Sequence, residues 1–275
     1  MLTTTLLKLR EEPFRDSLDE RFYYPSAKHE KAFATMVYCI TQHEPAALIV
    51  GASGIGKSLI AKRLLSSLSQ YDEFRFAWVI ISPDMPKTSL LREICREAGL
   101  ELPGRSAPST QHLLEMLHTQ IIDLYTQGVR LVVILDEAHF LKAQSLHLVR
   151  TLTNIETPTE KLVTAIFVGE ERFIQRLQNR TYDSLRGRIK VIARLEPLNR
   201  QETEEYIKHR VRVAGGDEDL FAEDTYDLIF EHSGGICRNI NKIAGQALFN
   251  AAFRGETRVT RAAVEDAIAE LEGIL

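Results

Sequence analysis

Ala46-Ala47-Leu48-Ile49-Val50-Gly51-Ala52-Ser53-Gly54-Ile55-Gly56-Lys57-Ser58 is the stretch on which the reading of this chain turns. An apolar run of strand length ends at Gly51, and Gly51 to Ser58 spells G-x-x-x-x-G-K-S. A helix-friendly apolar segment, Leu59 to Leu68, follows directly. Strand, glycine loop and helix in that order are the context a phosphate-binding loop requires. Gly51, Gly54 and Gly56 allow the backbone to turn its N–H groups inward around a β-phosphate, where side chains would obstruct. Ala52, Ser53, Ile55 and Leu59 complete the cradle. Lys57 is expected to reach the β- and γ-phosphates, and the Ser58 hydroxyl to ligate Mg²⁺. The helix beginning here adds its positive N-terminal end to the same anion site. The expected ligands are ATP and Mg²⁺.

Size and composition bound the rest. A length of 275 residues suits one large domain or two smaller ones, and 44% apolar residues supply an ample core. The formal net charge of −4 argues against a global field drawing the molecule to nucleic acid or anionic membrane. DNA binding by a monomer should therefore be weak, although Arg75, Lys87, Arg92, Arg96 and Arg105 could form a local basic patch in an oligomer. Cys39, Cys95 and Cys237 have no metal-like spacing and sit among apolar residues, as buried free thiols do. No apolar run approaches the ~18–20 residues that span a bilayer. Met1-Leu2-Thr3-Thr4-Thr5 lacks the basic region and apolar core of a signal peptide, so a cytoplasmic protein without a direct membrane span is expected.

Ahead of the loop, residues 1–26 form an arm that contains Arg21-Phe22-Tyr23-Tyr24-Pro25-Ser26. Three consecutive aromatics predict packing rather than disorder. The arm is expected against the main domain near a nucleotide base, or as a structural strap. Ser26 reads as an N-cap for a helix over Ala27 to Thr41. Phe74 to Ile81 reads as a second strand, and Thr88 as the cap of a helix running to about Ala98. Leu102 to Ser109 reads as a loop, followed by a helix from Thr110 to Tyr125.

Leu131-Val132-Val133-Ile134-Leu135-Asp136-Glu137 is a branched apolar run ending in two acids, the Walker B pattern. A buried parallel strand would deliver both carboxylates at its C-terminal end, where ligands bind in open α/β sheets. Asp136 is expected to hold Mg²⁺ and Glu137 to polarise the attacking water. His139 is read as structural. Further strands are predicted over Leu162 to Glu170 and Ile189 to Ala193, with helices between. Strands alternating with helices over residues 27–195 predict a three-layer parallel sheet core. From Glu196 the strand pattern stops, and four helical stretches punctuated by Gly215-Gly216, Gly234-Gly235 and Gly255 predict an all-helical domain over residues 196–275.

These pieces resemble an AAA+ ATPase, with a P-loop α/β core followed by a small helical lid. More narrowly, the chain resembles the ATPase domain of the ExeA family, the general secretion pathway protein A group. The segments that carry the likeness include Leu9-Arg10-Glu11-Glu12-Pro13-Phe14, Tyr24-Pro25-Ser26 with His29, and Leu152-Thr153-Asn154-Ile155-Glu156-Thr157. Others are Leu185-Arg186-Gly187-Arg188-Ile189, Leu195-Glu196-Pro197-Leu198 and Ser233-Gly234-Gly235-Ile236-Cys237-Arg238-Asn239-Ile240-Asn241. The resemblance implies that Arg238 acts as sensor 2, an arginine that touches the γ-phosphate from the lid. It also implies that Arg188 or Arg186, with Arg188 preferred, is an arginine finger completing a neighbouring subunit's site. Glu137, Lys57, Arg188 and Arg238 are thus the expected catalytic set.

Two departures stand out. Gly169-Glu170-Glu171 occupies the place of the family's Gly-Gln-Pro, which puts an acid at the sensor 1 position. The larger secretion ATPases also carry a membrane span and a cell-wall-binding domain, neither of which this sequence shows. The implied function is an oligomerising ATPase that assembles an envelope machine with a protein partner. Two other readings stay open. One is a transposition ATPase of the TniB and TnsC kind, working with DNA and a transposase. The other is a nucleotide-dependent scaffold with little hydrolysis.

Overall fold

The computed structural model describes residues 2–102 and 108–273. Arg105 and most of the expected Leu102 to Ser109 loop lie outside the described residues. The chain divides into two compact units. One comprises the segment His29–Gly51 and the segment Ile60–Leu195; the other comprises the N-terminal stretch up to Lys28, the loop Ala52–Leu59, and the chain from Glu196 onward.

The first unit is built on a five-stranded sheet: β1 (Ala46–Val50), β2 (Phe74–Ile80), β3 (Arg130–Asp136), β4 (Val163–Gly169) and β5 (Ile189–Arg194). The order is β2-β3-β4-β1-β5, and every pairing is parallel. The strands β1 and β4 are buried along their whole length. Covering by helices on both faces demands continuous apolar runs, which Ala46 to Val50 and Val163 to Gly169 supply. Leu48 and Val50 enter one apolar cluster with Val133, Leu135 and Phe167, while Ala47 and Ile49, which point the other way, are equally inaccessible. The edge strand β5 instead alternates, with Lys190, Ile192 and Arg194 exposed.

The helices linking these strands are α2 (Ala27–Thr41), α3 (Lys57–Leu68), α4 (Lys87–Glu97), α5 (Thr110–Thr126), α6 (Ala143–Leu152), α7 (Glu171–Leu177) and α8 (Asp183–Arg186), after a short N-terminal α1 (Leu2–Leu6). One boundary differs from the sequence reading. Pro86, not Thr88, occupies the N-cap of α4, and the Thr88 hydroxyl instead pairs with Thr110 at 2.8 Å. Proline has no N–H to leave unsatisfied and holds an extended φ, so it starts the helix without a capping side chain. Ser109, read as loop, caps α5 by accepting from the His112 N–H at 3.2 Å.

The second unit contains α1 together with α9 (Arg200–Val213), α10 (Thr225–Ser233), α11 (Cys237–Phe253) and α12 (Arg261–Glu270). Asn199 and Glu202 form a reciprocal capping box at the start of α9. The helices share an apolar cluster with Leu7, Leu9, Phe14 and Phe22 of the arm. Phe14 and Phe22 of the arm therefore belong to the core of the helical unit. Arg210 of α9 secures them: its buried guanidinium donates to the carbonyls of Pro13 at 2.5 Å and Arg15 at 2.9 Å, and to Tyr206 Oη at 2.7 Å. A single parallel bridge, Phe221 to Val259, is the strand-like pairing seen here among the described residues.

Two adjacent glycines end α10, both at positive φ, but they differ in surroundings. A Cβ at Gly235 (φ +70) would lie 2.0 Å from the Leu198 carbonyl oxygen, whereas one at Gly234 (φ +59) would meet nothing within 4 Å. Gly234→Ala should cost roughly 1–2 kcal/mol for the left-handed backbone. Gly235→Ala should cost a further ~1–3 kcal/mol, because backbone must move. Chemical unfolding of the two variants side by side reads this difference. Equal stabilities would show that the Leu198 approach is not a constraint.

Candidate nucleotide site

The loop after β1 takes its shape from glycine. Gly54 and Gly56 stand at φ +76 and +106, which other residues adopt only with strain. Lys57 opens α3 and is buried, with its ammonium donating to the Ala52 carbonyl at 2.7 Å across the loop's own backbone. Within the same unit, the first turn of α11 lies on this loop. The Arg238 N–H donates to the Gly54 carbonyl at 3.0 Å, and the Cys237 thiol to the Ile55 carbonyl at 3.8 Å. Burial pushes the Cys237 thiol up to about 12, so it is a neutral donor rather than a thiolate.

The Arg238 side chain reaches the loop as well. Its guanidinium donates to Ser53 Oγ at 3.0 Å and, through Nε, to Asp16 Oδ2 of the arm at 2.9 Å. A lysine and an arginine thus converge on a glycine turn whose backbone a side chain would spoil. A Cβ at Gly54 would come within 2.5 Å of the Arg238 Cβ. This is a cradle fitted to phosphate oxygens, which pair well with an arginine fork and a lysine point charge. The Asp16 contact has no signal in the sequence beyond an acid in the arm.

The acidic end of β3 is built within the α/β unit. Asp136 is the last residue of the strand, is buried, and accepts the Glu137 N–H at 2.9 Å. Glu137 does not continue the strand: it turns into the left-handed region at φ 56 and starts a short 3-10 turn, Ala138–Phe140. The adjacent carboxylates therefore leave the strand in different directions, as separate service to metal and water requires.

Because β3 and β4 are neighbours in register (Leu135 opposite Phe167), the residues just beyond each strand end come side by side. Glu170, at the N-cap of α7, is brought to Glu137 and His139 in this way. The His139 ring is buried and its Nδ1 lies 3.4 Å from Glu137 Oε2. His139 was read as structural, and the structure gives it a partner contact with Glu137 and places it with Glu170, neither of which was legible. The signals were the Glu137-x-His139 spacing and the unusual acid at Glu170.

Arg188 lies elsewhere. It immediately precedes β5, and Ile189 pairs with Ala46 at the beginning of β1, so it sits at the edge where the strands start. Its guanidinium is held by Asn154 Oδ1 at 3.0 Å and Ser184 Oγ at 2.8 Å. Arg186 pairs with Asp183 at 2.8 Å. The phosphate loop leaves the opposite end of β1.

Residues 40–177 match the AAA domain family. The chain belongs to that family. Over 271 residues it is 30% identical to general secretion pathway protein A of Aeromonas hydrophila, covering 98% of this chain and 49% of that protein. The chain thus spans about half the length of this relative. Its fold is similar to that of Cdc6p from Pyrobaculum aerophilum, with TM-score 0.75, 19% identity, and coverage of 96% of this chain and 72% of the other. The Aeropyrum pernix ORC2 protein, solved in ADPNP–ADP complexes, gives TM-score 0.72 at 19% identity with the same coverage. Among the described residues no helix is long and apolar enough to cross a membrane.

For this AAA domain, Gly54→Ala should weaken binding of a fluorescent ATP analogue at least tenfold, because both the left-handed turn and the Arg238 approach are lost. Gly128→Ala, also at positive φ (+77) but with nothing within 4 Å, serves as the control for strain alone. Equal affinities in the two variants would show that the loop geometry is not what binds phosphate.

Proposed function

We propose that the chain is a Mg²⁺-ATP-hydrolysing motor or switch that completes its catalytic site only on self-association. The observation that carries this reading is the place of Arg188. The span from Ala46 to Gly51 is five residues of extended strand, about 17 Å. An arginine anchored at the strand-start edge cannot cross that length to the phosphate loop of its own chain. It is available to a neighbour.

In this reading Gly51 to Leu59 cradle the phosphates, Lys57 and Arg238 neutralise their charge, and Ser58 and Asp136 hold Mg²⁺, which supplies further charge neutralisation when bound. Glu137 orients and polarises water, and Arg188 of one subunit stabilises charge developing in the next. The division into an arm (residues 1–26), a core (27–195) and a lid (196–275) belongs to the same reading. So does action in the cytoplasm on an envelope secretion or pilus-type machine, supported by the likeness to general secretion pathway protein A. The transposition reading is less favoured because the likeness to general secretion pathway protein A runs over nearly the whole chain.

Glu137→Gln should retain ATP and lose turnover by roughly 10²–10⁴-fold, the usual contribution of a positioned general base. Equilibrium binding and phosphate release measured on one preparation separate the two effects. Parental turnover would make Glu137 a structural acid.

The shared site is tested by mixing. Specific activity should rise with protein concentration, and Arg188→Ala should fall by up to ~10³-fold without losing ATP. Lys57→Ala should be inactive alone. Added to Arg188→Ala, it should restore activity by donating its intact arginine to a competent loop. Turnover independent of concentration, with no rescue in the mixture, would refute the proposal.

A further inference from the structure

Glu137, His139 and Glu170 each offer a ligand atom, and these atoms lie within 4.8 Å of one another. We propose that they form a transition-metal site, separate from the Mg²⁺ position, that binds Zn²⁺ or a similar borderline cation and takes Glu137 out of catalysis.

The donor set selects the metal. Two carboxylates and an imidazole are ligands typical of Zn²⁺ sites. Mg²⁺ prefers an all-oxygen shell, which Ser58 and Asp136 provide without nitrogen. The cluster also carries two like charges at close range, which a divalent cation relieves.

The supporting structure is rigid. The His139 side chain is only 2% exposed, and its ring contacts Phe140 at 4.1 Å between centroids. Arg176 donates to the His139 carbonyl at 3.1 Å, fixing the backbone of the turn. The turn rests on Gly169, where a Cβ would come within 3.4 Å of the His139 nitrogen. Arg172 Nε holds Glu170 Oε2 at 2.9 Å, orienting that carboxylate as outer partners orient metal ligands. Glu137 is delivered by its left-handed backbone. Strand order thus assembles three ligands from two loops.

Binding of metal stands on this geometry alone; inhibition rests in addition on Glu137 acting as the water-polarising residue. Once a Glu137 oxygen coordinates Zn²⁺, the cation withdraws charge from the carboxylate and fixes its orientation, so it is a weaker base toward water. The phosphate loop is untouched, so nucleotide should remain bound.

The experiment titrates the full chain, without an affinity tag, with Zn²⁺ alone against a chromophoric chelator. The same titration is made on Glu170→Gln and His139→Ala, with melting curves to show that each is folded. We expect one site in the parent and a loss in either variant of at least the ~10–100-fold that outer-partner changes alone cost. Glu170→Gln keeps size and shape, so it remains informative if His139→Ala does not fold. Loading with Co²⁺ should give the visible spectrum of a nitrogen–oxygen site without a thiolate charge-transfer band, which separates it from the cysteines. Zn²⁺ should then suppress ATP turnover in the parent at concentrations that leave ATP bound. Zn²⁺ binding unchanged in Glu170→Gln, or a thiolate spectrum, would overturn the site. Binding that follows the variants but leaves turnover untouched would overturn the inhibitory role, and with it the assignment of Glu137.

Discussion

Parallel pairing of β1 with a neighbour on each side is the constraint on which this molecule depends. Ala46 to Val50 is buried on both faces and hydrogen-bonded to β4 and β5 together, so its ends can emerge only at opposite edges of the sheet. Backbone groups inside such a strand have no access to water and must be satisfied by the ladder. The chain leaves the sheet at Gly51, and the phosphate loop begins there. The same constraint assigns the other chemical groups to edges. Asp136, Glu137 and Glu170 follow strand ends, while Arg188 precedes a strand start. A polar group at a strand end is near the ends of the adjacent strands, and a strand length away from the starts of those strands.

The helical unit depends on a different balance. Arg210 is buried, and its guanidinium is hydrogen-bonded to two arm carbonyls, Tyr206 and Asn241. A buried charge left unpaired costs several kcal/mol, so these hydrogen bonds bind the arm to the helices firmly. Arg238 is the opposite case. Its pair with Asp16 is half-exposed, at 44% and 63% side-chain accessibility, and such pairs contribute only ~0–1 kcal/mol. The arm is thus held by one arginine and only lightly touched by the other. An arginine with a weak surface partner can be exchanged to a phosphate at little cost.

Among the described residues the non-glycine positions at positive φ are Lys8, His43, Asp84 and Glu137, and Glu137 carries the carboxylate proposed to polarise water. The turn separates it from Asp136 and carries it toward Glu170. An extended Glu137 would have continued the strand past its neighbour.

The amino-acid order alone determined the local elements and the identity of the phosphate loop. Apolar runs of strand length, glycines at fixed spacing and the lysine–serine pair are short-range features, and a motif of this kind is defined by its own backbone. The sequence also indicated that Asp136 and Glu137 end a buried strand, because β-branched residues followed by acids permit little else. It did not contain the strand order. Which strand inserts beside β1 is settled by packing between segments more than a hundred residues apart, and the separate pairing of β3 with β4 set Glu170 next to Glu137 and His139. The arm is a further case: its aromatics announced burial, but only the tertiary structure decided that Phe14 and Phe22 fill the helical unit, where Arg210 supplies donors for the carbonyls of Pro13 and Arg15. Long-range pairing has no local signature, since the residues that meet gain nothing from each other until the chain has folded.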